Sequence, residues 1–364
     1  MKGVKNMLNA GLIGLGGMGR GHLENLVRLS KEGLVQLKAV CDIDPAKFAN
    51  VENNFNIKGI GDSKFDFDAF AHYTSVDDLI ENEELDLVVI AIPTYLHAEN
   101  AIKCLNAGIN VMSEKPMSLA SADCDKMIEA AKKNGKYLMI GQVLRFWGEY
   151  IVLKNLVDDS KICDPSKRTY PDIDLGKPVA GYFFRGGDSP KGSWQNWYMY
   201  KEKSGGCIQD QHIHDVDMIN WLFGMPKAVC SRGRNLLKGE RYDAGYDAVS
   251  TQYLYDEDIV INSQDDWTLN GVNFSMEYRC NFEKGTLIFR DGKTMVYPHD
   301  GEAFEADDKN GEDGYYREIK YFIHRLSGEW LLPVSEPGST RRTIALAQAE
   351  RESARRNGEW ISLK

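Results

Sequence analysis

The chain has 364 residues, of which 43% are hydrophobic and 27% are charged, a composition that excludes collagen-like repeats, coiled coils and long disordered segments. Because this length exceeds the size at which one hydrophobic core keeps growing, we expect two domains. The 44 Lys and Arg residues against 54 Asp and Glu give a formal charge of -10, which disfavours binding to nucleic acid or to an anionic lipid surface.

The cysteines and the N-terminal segment indicate the compartment. The seven cysteines are scattered singly with no C-x-x-C pair, so neither a disulfide framework nor a zinc knuckle is expected. Residues 1–10 contain no apolar stretch long enough for a secretion signal, and the strongest apolar run, residues 87–93, is too short to span a bilayer. We therefore expect a cytoplasmic protein without a membrane segment.

Residues 8–140 alternate short apolar runs with amphipathic stretches, which is the pattern of a doubly wound parallel α/β sheet. A serine N-cap at Ser75 and glycines at Gly108 and Gly135 mark helix ends between these runs. Six strands, a number typical of a Rossmann domain, are predicted at residues 10–14, 36–41, 71–73, 87–92, 110–112 and 137–140. We therefore expect residues 1–141 to form a dinucleotide-binding domain.

After residue 141 the sequence changes character and becomes rich in Tyr, Trp, Gly and Arg up to about residue 204. The elements predicted beyond it are a helix over residues 210–223, strands over 249–255 and 274–282, and an Ala-rich helix over 339–356. These strands are too long and too regularly alternating for further crossover units. We therefore predict that residues 142–364 form an α+β domain with a large, mostly antiparallel sheet.

The first informative motif is G-x-G-x-x-G, directly after an apolar strand and before a helical run. In this motif the first glycine permits the tight turn, the second lets the backbone approach a pyrophosphate, and the third lets helix and strand pack closely. The phosphates then meet the N-terminal amides of the helix. A glycine-rich turn without a ligand is the alternative. The motif residues are Gly14, Gly16, Gly17, Met18 and Gly19.

Asp42 follows the second predicted strand, some twenty residues beyond the last glycine of the motif. At this position a carboxylate accepts hydrogen bonds from the adenosine ribose hydroxyls and repels a 2'-phosphate. The next residues supply no Arg or Lys that would hold such a phosphate, so NAD is favoured over NADP. Asp42 acting as a helix cap ahead of Pro45 is the alternative interpretation.

Lys115 lies at the end of the fifth predicted strand, in the run Glu114-Lys115-Pro116. The carboxyl edge of an open α/β sheet is where such folds bind their ligands, and Pro116 restrains the turn that holds the lysine. A lone lysine in a loop is ordinarily a solvated charge. The sheet edge, the restrained backbone and an expected nicotinamide together favour a functional role.

A polar stripe is predicted on the helix over residues 210–223. Its members share one helical face because they are separated by four, three and four residues; they are Asp210, His214, Asp217 and Trp221. Burying such a stripe is costly unless it meets partners or substrate. Two interpretations of these residues therefore remain open: a catalytic stripe, or a structural cluster of helix caps and ion pairs.

His212 points away from this stripe, and we interpret it as a packed or surface histidine. A His/Asp metal site in the same region is an alternative, but hydride transfer on a dinucleotide fold requires no metal, and the sequence shows no matching ligand cluster elsewhere. We therefore predict no metal.

Taken together, these features resemble the Gfo/Idh/MocA family of oxidoreductases, which includes inositol dehydrogenases, glucose-fructose oxidoreductase and many sugar dehydrogenases. The resemblance spans nearly the whole chain. Its most specific pair is the E-K-P run with the later D-x-x-x-H-D-x-D helix; the other matching segments are the glycine loop, the run Pro93-Thr94-Tyr95-Leu96-His97, residues 141–145 and Gly205-Gly206. The insertion-like stretch at residues 158–174 departs from the family pattern and leaves the substrate open.

The resemblance implies that Lys115, Asp210 and His214 line the reaction centre. The residues that it implies to lie close to NAD are Pro93, Thr94, His97, Glu114 and Lys115. It also implies that the second domain binds the substrate and mediates a homodimer or homotetramer through its open sheet.

In such a centre a hydride leaves a carbinol carbon while the hydroxyl proton passes to a base. Histidine titrates closest to neutral pH among side chains, so we assign His214 as general base in oxidation and general acid in reduction. Lys115 would stabilise negative charge on the oxygen, and Asp210 would orient His214 or bind a neighbouring hydroxyl.

Three further side chains are candidate walls of a sugar pocket, with ordinary packing as the alternative; they are Arg145, Trp194 and Trp197. The predicted function is that of an NAD-dependent dehydrogenase acting on the CH–OH group of a small polyol or sugar, inositol-like or of the hexose type. One rival is an NAD-dependent glycoside hydrolase or dehydratase that oxidises its sugar transiently. The other is a non-catalytic NAD-binding regulator.

Overall fold

The computed structural model describes residues 7–50, 61–158, 170–190, 193–237, 243, 245–256, 258–308, 311–329 and 331–363. Most of the insertion-like stretch at residues 158–174, namely 159–169, lies outside the described residues. The chain divides into two compact units. The first comprises Met1–Gly141 and Tyr315–Gly338, and the second comprises Gln142–Gly314 and Ser339–Lys364.

The first unit contains a six-stranded parallel sheet in the order β3-β2-β1-β4-β5-β6. Its strands are β1 (Leu8–Ile13), β2 (Val35–Cys41), β3 (Ala71–Tyr73), β4 (Leu87–Ile90), β5 (Asn110–Glu114) and β6 (Leu138–Gly141). All four residues of β4 are buried, as expected for a strand covered on both faces. The predicted doubly wound Rossmann sheet is therefore confirmed, and the strand ends differ from the predicted ones by a few residues.

The second unit contains a nine-stranded sheet in the order β14-β13-β12-β11-β7-β10-β9-β8-β15. Among the described residues, β10 and β7 pair in parallel, and the other neighbouring strands of this sheet pair antiparallel. The predicted, mostly antiparallel sheet is confirmed. Its strands are β7 (Pro178–Gly186), β8 (Ala228–Arg234), β9 (Ala248–Leu254), β10 (Val260–Asp266), β11 (Ser275–Phe282), β12 (Gly285–Arg290), β13 (Lys293–Pro298), β14 (Phe304–Glu305) and β15 (Ile361–Ser362).

The α-helices follow the predicted start and stop signals. Ser75 caps the second helix by accepting hydrogen bonds from the amides of Asp77 and Asp78, and Gly135 ends the fourth in a left-handed conformation. The helices are α1 (Gly17–Lys31), α2 (Val76–Asn82), α3 (His97–Asn106), α4 (Ser121–Asn134), α5 (Gly148–Asp158), α6 (Lys201–Ser204), α7 (Gly206–Asp210), α8 (Ile213–Phe223), α9 (Gly314–Leu326) and α10 (Pro337–Arg355). No helix among the described residues has the length and apolar character needed to cross a membrane.

The division of the chain differs from the predicted domains in one segment. The cut after residue 141 coincides with the predicted boundary, but Tyr315–Gly338 joins the first unit and not the second. Tertiary contacts explain this placement: the ring of Phe322 stacks on Tyr137 at 5.8 Å between centroids, and the Ser335 hydroxyl donates to the carbonyl of Ile140 at 2.7 Å. The segment that begins with α9 thus packs beside the edge strand β6, and the sequence has no local signal for these contacts.

Candidate active site

The glycine loop joins β1 to α1, and a methyl group at each glycine would meet a different environment. At Gly14, whose φ is +99°, a Cβ would lie 2.2 Å from the carbonyl oxygen of Ala91. At Gly19 it would lie 2.0 Å from the carbonyl oxygen of Gly14, so these two positions require the tight turn and close packing predicted for them. At Gly16 a Cβ would meet nothing within 4 Å, which leaves the backbone there open to a ligand.

The first turn of α1 suits an anionic group. Gly16 is the N-cap and provides no side-chain cap, and the first turn contains no acidic residue. Gly16 is exposed and Gly17 and Met18 are half-buried, so the amides of this turn face accessible space. Helix N-terminal amides and the helix dipole favour a phosphate at such a place. The loop therefore fits the pyrophosphate of a dinucleotide.

Asp42 is half-buried just beyond the end of β2. Its Oδ2 accepts from the backbone N–H of Leu15 at 2.7 Å, and its Oδ1 accepts from that of Asp44 at 2.9 Å. The alternative role of Asp42 was to cap the helix that begins at Pro45. Asp44 forms that cap instead, because its Oδ1 accepts from the amide of Ala46 at 3.0 Å. A carboxylate offers about four acceptor positions, so both oxygens of Asp42 retain capacity for ribose hydroxyls.

His97 connects the loops that follow β4 and β5. The ring is 1% exposed, and its Nδ1 lies 2.8 Å from the carbonyl oxygen of Pro116 and its Nε2 2.8 Å from that of Ile92. Burial lowers the pKa of His97 despite these two carbonyls. The neutral ring has one N–H, so it donates to one of the two carbonyls at a time. Pro93 and the buried Thr94 begin the short 3-10 helix immediately before His97.

Glu114 is buried at the end of β5, and both its oxygens contact protein groups. Oε1 lies 2.6 Å from Nε2 of His22 in α1, and Oε2 accepts from the backbone N–H of Lys115 at 3.0 Å. Although burial acts in the opposite direction, His22 and Lys115 hold the pKa of Glu114 below its usual value. Glu114 thereby positions the turn that carries the half-buried Lys115.

His22 was not identified from the sequence. It is fully buried, and it approaches Glu114 from a position 92 residues away along the chain. No local motif marks such a pair, because only the closing of the sheet brings α1 beside the end of β5. A carboxylate of Glu318, in α9, lies within 4.8 Å of the other two groups.

In the second unit, Asp210 and His214 lie on either side of a helix break. The single helix predicted over residues 210–223 was wrong: Asp210 ends α7, and α8 begins at Ile213. The break arises because the amide of His212 donates to the carbonyl of Cys207, five residues back, at 2.8 Å. Asp210 and His214 are both half-buried, whereas His212 between them is fully buried.

Asp217, a member of the predicted stripe, belongs to a structural ion pair. Its carboxylate accepts two hydrogen bonds of 2.7 Å from the guanidinium of Arg145 and one of 2.7 Å from the Thr343 hydroxyl. Arg145 is 1% exposed, and its guanidinium also donates to the Ser339 hydroxyl oxygen at 3.0 Å. Asp217 and Arg145 thus form a structural ion pair, which is the alternative to a catalytic role for this part of the stripe. Arg145 supports α8 instead of facing a pocket.

The two candidate tryptophans differ in exposure. Trp197 is buried and stacks on Tyr198 with 3.9 Å between ring centroids, whereas Trp194 is 42% exposed. Both lie in a 3-10 segment, Trp194–Met199, that is kinked by positive φ angles at Gln195 and Asn196. Trp197 is therefore held by packing, and Trp194 is the more accessible of the two rings.

Two models of one protein family match this chain. The oxidoreductase family with an NAD-binding Rossmann fold matches residues 8–142, and the GFO/IDH/MocA C-terminal domain matches residues 170–288. The two matched ranges together cover more than half of the chain.

Curated relatives match over part of their length. The chain is 33% identical over 171 residues to the 2,7-anhydro-N-acetylneuraminate hydratase of Mediterraneibacter gnavus, covering 46% of this chain and 42% of the relative. It is 29% identical over 216 residues to the inositol 2-dehydrogenase of Salmonella typhimurium, covering 59% of this chain and 54% of the relative. The chain thus spans about half the length of these relatives.

Solved structures share the fold over nearly the whole chain. The WlbA dehydrogenase of Chromobacterium violaceum, in complex with NADH and UDP-GlcNAcA, has a TM-score of 0.79 at 20% identity and covers 99% of this chain and 97% of its own. A levoglucosan dehydrogenase in complex with NADH and levoglucosan has a TM-score of 0.77 at 18% identity, with 98% and 99% covered. Residues 8–142 are thus an NAD-binding Rossmann domain with NAD as the cofactor, and the chain belongs to the Gfo/Idh/MocA family of oxidoreductases.

Proposed function

We propose that this protein transfers a hydride between NAD(H) and a hydroxyl-bearing carbon of a small polyol or sugar. The observation that carries the proposal is the dinucleotide cradle formed by the open Gly16 backbone, the uncapped first turn of α1 and the Asp42 carboxylate. Relatives named as inositol 2-dehydrogenases support the substrate class, as does the fold shared with a levoglucosan dehydrogenase.

Three side chains are proposed to act on the substrate. When bound, NAD supplies the hydride acceptor. His214 takes the hydroxyl proton during oxidation and returns it during reduction, while the ammonium of Lys115 stabilises the negative charge that develops on the oxygen. Asp210 binds a neighbouring hydroxyl or orients His214. The half-buried state of all three residues suits groups that meet a substrate.

The proposed cofactor contacts fall into two groups. The backbone of Gly14, Gly16, Gly17, Met18 and Gly19 holds the pyrophosphate, and Asp42 holds the adenosine ribose. Pro93, Thr94 and His97 shape the loop after β4 on the nicotinamide side, while Glu114 acts through its hold on the Lys115 turn. The substrate contacts are assigned to Lys115, Asp210 and His214.

The test is single-turnover NADH formation with a panel of inositols, hexoses and anhydrosugars. We expect Lys115→Ala and His214→Ala each to slow the best substrate by about 100-fold or more, the range for loss of a general acid–base or electrostatic group. Lys126→Ala and His299→Ala, at exposed positions, are the matched controls and should retain the wild-type rate. Near-normal rates in both active-site variants would refute the assignment.

A second function is favoured by one specific relationship, the 33% identity to a protein named as a hydratase. In this alternative the sugar is oxidised transiently and the hydride is returned, so no net redox change occurs. Product formation without NADH release, observed with substoichiometric NAD, would select it. Stoichiometric NADH release from a polyol would select the dehydrogenase instead.

We also propose that the protein is a homodimer or homotetramer assembled through the sheet of the second unit. Strands β9 and β10 alternate buried and solvent-facing side chains, and Leu254 and Val260 on them are large apolar residues that are 48% and 63% exposed. Exposed apolar groups on a sheet face are typical of subunit contacts. Light scattering measures the molecular mass of the wild type and of Val260→Asp. A monomeric wild type would contradict the proposal.

The cytoplasm is the proposed compartment. The six cysteines among the described residues are free thiols, which is the usual state in a reducing environment. Cell fractionation with an antibody to the native protein tests this proposal, since recovery outside the cytoplasmic fraction would contradict it.

A further inference from the structure

A buried polar cluster lies in the second unit, between the first turn of α8 and strand β10. His212, Asp215 and Asp265 are each fully buried, and each presents one potential ligand atom within 4.8 Å of those of the other two. His212 immediately precedes α8, Asp215 lies in its first turn, and Asp265 is on β10. None of the three has a role in the proposed reaction.

The cluster contains donor atoms without a hydrogen-bond partner. Both carboxylate oxygens of Asp265 and the Nδ1 atom of His212 lack one. The amide nitrogen of Gln211, which also lacks a hydrogen-bond partner, lies near Asp265 without reaching hydrogen-bond geometry. The amide oxygen of Gln211 accepts from the indole N–H of Trp267 at 3.1 Å. Buried polar atoms are nearly always paired, so three unpaired ones in a single cluster indicate a missing partner.

The other nitrogen of His212 is held as it is in metal-binding histidines. Nε2 lies 3.1 Å from the Ser263 hydroxyl and 3.3 Å from a carboxylate oxygen of Glu350. The second oxygen of Glu350 accepts from the Tyr253 hydroxyl at 2.8 Å. The contact of Nε2 with the Ser263 hydroxyl, beside the negative charge of Glu350, favours a proton on Nε2 and leaves the opposite nitrogen as a ligand. Nδ1 is that opposite nitrogen.

The charges of the cluster do not balance. Arg185 forms two hydrogen bonds of 3.2 Å to the carboxylate of Asp215, and both side chains are buried. This pair is neutral, which leaves Asp265 and Glu350 as two buried carboxylates beside a single imidazole. Buried charges require compensation. One divalent cation supplies it.

We propose that His212, Asp215 and Asp265 bind a divalent transition-metal ion, with zinc as the first candidate. An imidazole with two carboxylates is a ligand set that suits zinc and disfavours calcium and magnesium. The three ligand atoms lie within 4.8 Å of one another, and binding an ion at the usual bond lengths of about 2.0–2.2 Å would draw them together by side-chain rotation. Such an ion joins β10 to the first turn of α8, the helix that carries His214.

Protonation of the cluster is the alternative to a bound metal ion. Burial raises the pKa of Asp265 well above its usual range, with Asp215 adding to the shift and His212 and Arg185 opposing it. Burial acts in the other direction on His212, but Glu350 and Asp265 raise its pKa. A protonated Asp265 and a protonated His212 also neutralise the cluster. The two occupants predict opposite results for an isosteric, neutral replacement of Asp265.

The experiment measures bound metal by elemental mass spectrometry on full-length protein purified without chelator from zinc-supplemented medium. We expect one zinc ion per chain in the wild type and in the control Asp291→Asn, whose residue is exposed and has a φ of +51° that asparagine tolerates. Asp265→Asn should lose the ion and melt at a lower temperature. A wild type without stoichiometric metal overturns the proposal, as does an Asp265→Asn protein that keeps the ion.

A second variant keeps the proposal testable if the Asp265→Asn protein does not fold. His212→Gln keeps a polar group toward Ser263 and removes the proposed Nδ1 ligand. We expect it to bind zinc at least tenfold more weakly in competition with a chromophoric chelator, the range for loss of metal-site support. Unchanged zinc affinity overturns the proposal. A wild type that binds no zinc, together with an Asp265→Asn protein that is as stable as that wild type, identifies protons as the occupants and overturns the proposal.

Discussion

The carboxylate of Asp42 accepts a hydrogen bond from the backbone N–H of Leu15 at 2.7 Å, which joins the acid after β2 to the glycine loop after β1. The same carboxylate is the proposed partner of the ribose hydroxyls. One side chain therefore holds the glycine loop in place and is proposed to accept hydrogen bonds from the ribose.

Replacing Asp42 with alanine should weaken NAD binding more than NADP binding. Loss of hydrogen bonds to a charged group costs about 1.5–3 kcal/mol, so the NAD dissociation constant should rise by about 10–100-fold. Fluorescence titration with NADH and NADPH measures both constants. Asp44→Ala, which removes the neighbouring helix cap, is the control; an unchanged cofactor preference in Asp42→Ala would remove Asp42 from the site.

Gly16 and Gly19 should respond differently to substitution. A Cβ at Gly16 meets nothing within 4 Å, so Gly16→Val should change the free energy of unfolding by less than about 0.5 kcal/mol while blocking the pyrophosphate. A Cβ at Gly19 would lie 2.0 Å from the carbonyl oxygen of Gly14, so Gly19→Ala should lose about 1–3 kcal/mol of stability. Urea unfolding and NADH titration separate the two effects. Tight NADH binding by Gly16→Val would contradict the proposed loop contact.

His97→Ala should destabilise the first unit. The substitution removes the buried ring between the carbonyls of Ile92 and Pro116, and a buried acceptor left without its donor costs about 1–3 kcal/mol. Urea unfolding measures the loss, and His299→Ala at an exposed position is the control. NADH affinity should fall as well because the loop after β4 loosens. Equal stability of the two variants would show that the ring does not hold these loops.

Arg145→Ala should lower stability without a selective effect on KM. The guanidinium is buried against Asp217, and removing one partner of a buried ion pair costs about 3–5 kcal/mol. Arg145→Lys should recover part of the stability, although not the two-pronged contact. Thermal unfolding and steady-state kinetics are measured on the same samples. A raised KM at unchanged melting temperature would instead support the pocket-wall role predicted from the sequence.

Glu114 should make the protein sensitive to acid. Its pKa is lower in the folded state than its ordinary value of about 4.3. A lowered carboxyl pKa gives stability that is present above the unfolded pKa and is lost as the pH falls through the folded pKa. Wild type should therefore lose more stability than Glu114→Gln between about pH 5 and pH 3. Glu129→Gln, at an exposed position, should follow the wild-type profile; a Glu114→Gln profile parallel to wild type would contradict this account.

Local patterns predicted the regular elements well because each has a local physical cause. The strands of the first sheet are short apolar runs between helices, the cap at Ser75 needs only its own hydroxyl and two nearby amides, and the steric need for glycine at Gly14 and Gly19 follows from the motif. Periodicity failed at residues 210–223, since the break at His212 depends on a hydrogen bond to Cys207 that no amphipathic pattern encodes.

The sequence by itself determined the Rossmann sheet, the antiparallel second sheet, the dinucleotide loop with its acid, and the residues that resemble a family reaction centre. Only the tertiary structure decided which polar side chains are used up inside the protein. Arg145 pairs with Asp217 and His22 pairs with Glu114 across many residues of chain. His212 and Asp265, also distant in sequence, lie in one buried cluster. Composition and spacing record which groups exist, whereas burial and the partners that compensate a charge depend on which distant segments the fold brings together.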